Sequence, residues 1–215
     1  MEAIVFDLDG TLVDSREDIA STVMYALSHI GATPRLDRAA IGALVGRPLT
    51  EMFRRAVPDL GEDDVAQATA AYRARFATHC REQSQLYDGI DEVLTRLHGR
   101  VPLGCATTKR PDSARDVLDA FALRPRLQAW RGTDETMAFK PAPDVLLAIA
   151  GDLGIDPQAM WYVGDTATDL VAAQRAGAHA VWVRWGYGVP EDCLAAGPDR
   201  VLDRPQDLLT EWQRS

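Results

Sequence analysis

The chain is poor in cysteine, in histidine and in long apolar runs, and each shortage removes a class of protein. Its three cysteines, Cys80, Cys105 and Cys193, stand far apart with no CxxC spacing, which indicates neither a disulfide framework nor a zinc site and fits a reducing, cytoplasmic setting best. Four histidines are scattered without metal-ligand spacing. No window approaches the roughly 18 to 20 apolar residues that cross a bilayer, and the N-terminus lacks a basic region followed by an apolar one, so neither membrane insertion nor secretion is expected. Basic side chains are in deficit too: 23 Lys and Arg face 32 Asp and Glu, for a formal charge of -9. A surface that acidic repels phosphate backbones, which argues against a nucleic-acid or anionic-membrane partner.

With 215 residues, 47% of them hydrophobic, the chain can still bury a large core. Short apolar runs, "AIVF" (3–6), "VPLGCA" (101–106), a pair near Trp130, "MWYV" (160–163) and "AVWV" (180–183), alternate with segments whose apolar residues recur every three or four positions. Continuous apolar strands between amphipathic helices predict an α/β fold with a parallel sheet covered on both faces. From about Arg16 to Glu82 the pattern is helical throughout, which predicts an inserted helical domain at 16–82 within a core of 1–15 and 83–215.

The first apolar run ends in "DLDGT". Residues two apart in a strand share a side, so Asp7 and Asp9 can both reach a site beyond the strand's carboxyl end, where open parallel sheets bind ligands. Two neighbouring buried carboxylates call for a cation, and Gly10 lets the backbone turn so that N–H groups face an anion. A metal and a phosphate together fit that pair. Further strand ends add to it: Thr107 and Thr108 follow "PLGCA", Lys140 stands in "FKPAPD", and "GDTATD" supplies Asp165 with Asp169 one helical turn later.

Through the ordered motifs "DLDGT", "CATTK", "KPAPD" and "GDTATD" the sequence resembles the haloacid dehalogenase superfamily of phosphohydrolases over nearly its whole length. "AAQRAG" and "VRWGYG" are similar to its phosphoglycolate-phosphatase-like branch, although that branch commonly carries asparagine where Thr108 stands. The resemblance implies a Rossmann-like three-layer α/β/α core, a mobile helical cap supplied by the insertion, Mg2+ dependence and an aspartyl-phosphate intermediate. It casts Asp7 as nucleophile and Asp9 as general acid and base. Thr107 and Lys140 stabilise the phosphoryl group, with Gly10 and Thr108 beside it. The metal is held by the Asp7 carboxylate, the Asp9 carbonyl and Asp165, with Asp169 a ligand or its supporting partner.

The expected reaction is hydrolysis of a small phosphorylated metabolite, 2-phosphoglycolate first among them, by a monomer or homodimer. A phosphosugar mutase and a non-catalytic phospho-ligand module remain as alternatives. Substrate choice should lie in the insertion, where Arg47 in "VGRPLTEMF" is the best candidate for a substrate carboxylate or hydroxyl. Trp130, Trp161 and Trp182 read as core; Trp185 and Tyr187 fall in a loop at the same edge of the sheet. Asp14, Asp88 and Asp91 read as caps or solvated charges.

Overall fold

The computed structural model describes residues 3–214 and divides into two compact units, Met1–Asp14 with Leu86–Ser215, and Ser15–Gln85. The first unit is the α/β core anticipated from the apolar runs. Its strands are β1 (Ala3–Phe6), the two-residue β2 (Val13–Asp14), β4 (Leu103–Thr107), β5 (Ala129–Gly132), β6 (Met160–Gly164), β7 (His179–Val183) and β8 (Arg200–Leu202), while the two-residue β3 (Gln85–Leu86) falls on the boundary of the units. Six of them form one sheet in the order β5-β4-β1-β6-β7-β8, every pairing parallel.

All four residues of β1 are essentially inaccessible, so both faces of the sheet are covered at its centre. That is why "AIVF" shows no alternation. On one face Val5, Tyr162 and Trp182 pack with Val145, Ile149, Leu170 and Ala173.

The second unit carries four helices, α1 (Arg16–His29), α2 (Arg38–Gly42), α3 (Leu49–Ala56) and α4 (Glu62–His79). Phe53, Tyr72 and Phe76 form a buried aromatic cluster in which Tyr72 stacks on Phe76 at 5.3 Å between ring centroids. Asp18, buried in the first turn of α1, accepts from the Ser84 hydroxyl (2.6 Å) and from the N–H groups of Gln83 and Ser84. A buried carboxylate with that many donors is satisfied, and it ties the start of the unit to its end.

The core helices are α5 (Ile90–Leu97), α6 (Pro111–Ala120), α7 (Asp144–Leu153), α8 (Ala167–Ala176), α9 (Pro190–Ala195) and α10 (Asp207–Arg214). Pro111 opens α6 with a preset φ, and Gly177 closes α8 in the left-handed conformation that an L side chain disfavours. The chain crosses from β1 to β4 and β5 on one side, then returns to β6, β7 and β8 on the other. Strand order therefore reverses at β1, and the carboxyl ends of β1, β4 and β6 meet at the switch point where such sheets bind ligands.

Three details differ from the sequence reading. β8 was not anticipated, because "RVL" is too short to show a pattern between turn residues. Trp130 lies on edge strand β5 and is only partly buried, whereas Trp161 and Trp182 are core. Strand β1 stops at Phe6, and Leu8 O then accepts from the N–H groups of Thr11, Leu12 and Val13 in a tight turn. Asp9 is thus carried by a turn, and strand alternation does not set its direction.

Candidate active site

Asp7 and Asp165 each occupy the first position after a central strand, β1 and β6. The Asp7 N–H continues the ladder by donating to Val163 O at 2.8 Å, which fixes where its side chain starts. Asp169 sits one turn into α8. Its Oδ2 accepts from the Thr166 N–H (2.9 Å) and hydroxyl (2.6 Å), so the carboxylate that caps the helix also faces the site. Each of Asp7, Asp165 and Asp169 offers a carboxylate oxygen within 4.8 Å of the others, and all three residues are buried.

Lys140 is the ammonium among them. Its Nζ donates to Asp169 Oδ1 at 2.6 Å and to the Tyr162 hydroxyl oxygen at 2.9 Å, and lies 2.9 Å from Asp7 Oδ1 as an ion pair. The Tyr162 hydroxyl donates onward to Ala106 O at 2.7 Å. Burial alone would lower the Lys140 pKa; the carboxylates of Asp169 and Asp7 more than reverse this and hold it well above the ordinary lysine value. It stays charged.

Three carboxylates against one ammonium would, if all were ionised, leave two negative charges in a buried place. Burial pushes Asp7 up to about 7, with Lys140 pulling it back and Asp169 adding to the rise. Burial likewise raises Asp165 well above the usual carboxylate range, helped by Asp169 and Asp7 and opposed by the Tyr187 N–H and the Thr11 hydroxyl. Asp7 Oδ1 meets Lys140 only as an ion-pair contact, without an aligned hydrogen bond. An all-oxygen donor set with a surplus of two negative charges suits a hard divalent cation.

Glycines make room for this cluster. A Cβ on Gly10, whose φ is +88°, would lie 2.3 Å from Asp165 Oδ2; one on Gly164 would lie 2.4 Å from Asp169 Cβ. One on Gly186 would lie 2.3 Å from both Asp165 Cβ and Gly10 O. Strand β7 and the loop after it add direct supports. Tyr187 N–H donates to Asp165 Oδ2 (2.8 Å), its hydroxyl donates to Asp14 (2.9 Å), and the indoles of Trp182, in β7, and Trp185 donate to Asp165 O and Thr11 O. Asp14 is therefore an acceptor in this scaffold.

Asp9 is buried nearby, but its carboxylate pairs with Lys109, Oδ2 to Nζ at 3.0 Å, and stays outside the acidic trio. Thr107 ends β4, and its Oγ1 accepts from the Lys109 N–H at 3.2 Å. Thr108 follows it, partly buried. Arg47 belongs to the helical unit, where it donates to Glu51 Oε1 at 2.8 Å; Arg55 donates to the same oxygen. The structure thus gathers Asp7, Asp165, Asp169 and Lys140 together, sets Asp9 and Thr107 about Lys109, and places Arg47 in the other unit.

Tyr162, Lys109 and Thr11 escaped the sequence reading. Tyr162 stands inside an apolar run and reads as packing. A signal for Lys109 was present: the chain holds only two lysines, and both reach these carboxylates.

A model of the family described as haloacid dehalogenase-like hydrolase matches residues 4–183. The chain is 31% identical to a phosphoglycolate phosphatase of Yersinia pseudotuberculosis, covering 97% of this chain and 92% of that one. It is 30% identical to an N-acetylmuramic acid 6-phosphate phosphatase of Pseudomonas aeruginosa over 100% of this chain and 96% of that one. The crystal structure of a predicted phosphoglycolate phosphatase from Haemophilus somnus superposes with a TM-score of 0.90 at 26% identity, covering 99% and 98% of the two chains.

Proposed function

The chain belongs to the haloacid dehalogenase-like hydrolase family and is a phosphatase, and from that premise we propose that it hydrolyses a small phosphorylated metabolite with Mg2+ through an aspartyl phosphate on Asp7. The observation that carries this reading is the buried trio Asp7, Asp165 and Asp169 with its single ammonium, at the switch point of the sheet.

Asp7 and Asp165 are the carboxylates that would hold the cation, joined by the Asp9 carbonyl. Both Asp169 oxygens are already engaged, by Thr166 and by Lys140, so its assigned part is to hold Lys140 in place. When bound, Mg2+ offsets the charge repulsion between a carboxylate and a phosphate dianion. The Asp7 carboxylate attacks phosphorus, forming the O–P bond as the ester oxygen departs. Asp9 gives a proton to that oxygen and then takes one from the water that cleaves the acyl phosphate. Lys140 and the Thr107 hydroxyl hold the transferring group, and the backbone N–H groups directly after Asp7, those of Leu8 and Asp9, complete the cradle. Two relatives of nearly equal identity act, by their names, on different phosphoesters, so identity alone does not select the substrate; 2-phosphoglycolate is the leading candidate.

The test is a phosphate-release assay over phosphoglycolate, sugar phosphates, nucleotides and pyrophosphate, with Mg2+ and with chelator. The reading expects release that stops in chelator and in Asp7→Asn. Full activity of Asp7→Asn would overturn it.

A further inference from the structure

Resting on the phosphatase reading, we propose that Lys109 binds a second anionic group of the substrate, so that the preferred substrates are small phosphomonoesters carrying a carboxylate or similar anion beside the ester oxygen. Of the two lysines in the chain, Lys140 is held among Asp7, Asp169 and Tyr162, by two hydrogen bonds and one ion pair. Lys109 holds Asp9 instead, Nζ to Oδ2 at 3.0 Å, with the two side chains only 9% and 10% exposed.

Its main chain is pinned. The N–H donates to Thr107 Oγ1, the carbonyl accepts from Thr133 N–H at 3.0 Å, and a Cβ on Gly132 would come within 2.5 Å of that carbonyl. What can move is the flexible stem, which carries a compact point charge.

This pair conflicts with the work assigned to Asp9. An oxygen in contact with an ammonium is not available to the departing ester oxygen, so the ammonium needs another anion before Asp9 can turn to the substrate. A charged leaving group brings that anion with it. A neutral one leaves Lys109 on Asp9.

Distance narrows the class further. With its main chain pinned, Lys109 can swing its ammonium only a short way from its place 3.0 Å from Asp9 Oδ2, so it stays on the order of 6 Å from a leaving oxygen bound to Asp9 at about 2.5–3.0 Å. That separation matches an anion one or two carbons from the ester oxygen and excludes one at the far end of a long molecule.

The experiment compares 2-phosphoglycolate with ethyl phosphate, in which a methyl replaces the carboxylate, for wild type, Lys109→Met and Lys109→Arg in Mg2+. Wild type should prefer phosphoglycolate at least tenfold in kcat/KM. Lys109→Met should lower kcat/KM for phosphoglycolate at least tenfold, chiefly through KM, and raise kcat for ethyl phosphate severalfold. Lys109→Arg should keep most of the preference, and Lys109→Gln serves in place of the methionine variant if that fails to fold. Equal losses on both esters, or no change on either, would overturn the proposal. So would wild type that hydrolyses other phosphomonoesters but neither of these, a result that leaves the phosphatase reading standing. Wild type that releases phosphate from no monoester sinks that reading itself.

Discussion

The Tyr162 hydroxyl lies 2.9 Å from Lys140 Nζ and 2.7 Å from Ala106 O, so a side chain within β6 joins the site's ammonium to the backbone of β4 across the intervening β1. Removing it takes an acceptor from a buried ammonium and a donor from a buried carbonyl. Tyr162→Phe should cost about 1–3 kcal/mol of stability and lower kcat roughly tenfold with KM little changed. Denaturant titration and steady-state kinetics check the two parts; a KM effect with kcat intact would argue against Tyr162 acting through Lys140.

Lys140 itself carries more. Lys140→Met leaves Asp7 and Asp169 without their counter-charge, and phosphate release should fall by about 10²- to 10³-fold. Arginine should rescue little of this, because the contacts at 2.6 and 2.9 Å are made by a compact ammonium, whose point charge a larger planar guanidinium does not reproduce.

The raised carboxylates set a pH dependence of stability. Asp7, at about 7, and Asp165 both lie above the roughly 3.9 of an unfolded aspartate, so the folded chain holds protons that the unfolded chain gives up. The Asp7 contribution to stability is complete below the unfolded value and is lost as pH rises through about 7, and the Asp165 contribution is lost in the same direction. In chelator, melting temperature should therefore drop by several degrees from pH 5.5 to 8. Mg2+ should restore most of the loss at pH 8, because it binds the ionised carboxylates of the folded chain. A melting temperature in chelator that climbs over that range contradicts the assignment.

Glycine packing offers a contrast within one molecule. Gly186→Ala would drive a methyl into Asp165 and the Gly10 carbonyl, and should cost about 1–3 kcal/mol or more and weaken cation binding, read by calorimetry. Gly151→Ala, within α7 and facing open space, should instead stabilise the protein by about 0.4–1 kcal/mol.

Strands buried on both faces leave uninterrupted apolar runs, and for that reason β1, β4, β6 and β7 were legible in the sequence to within two residues at either end. The carboxylates at their ends were legible too, since charge directly after such a run has few structural uses. The supports were not. Tyr162 resembles its packed neighbours, and only the facing strand reveals what its hydroxyl bonds. Asp9 lies within a turn whose hydrogen bonds to Leu8 O cannot be read from alternation, so its pairing with Lys109 emerges only in three dimensions. Tyr187 contributes a backbone N–H to Asp165, and a main-chain donor leaves no mark on residue type.

The most direct measurement is mass spectrometry of protein quenched during turnover and reduced with borohydride, which converts an aspartyl phosphate to homoserine. Homoserine at position 7, present with substrate and Mg2+ and missing in chelator, is the expected result. Sustained phosphate release with position 7 unmodified, or with the modification on another carboxylate, would contradict attack by Asp7.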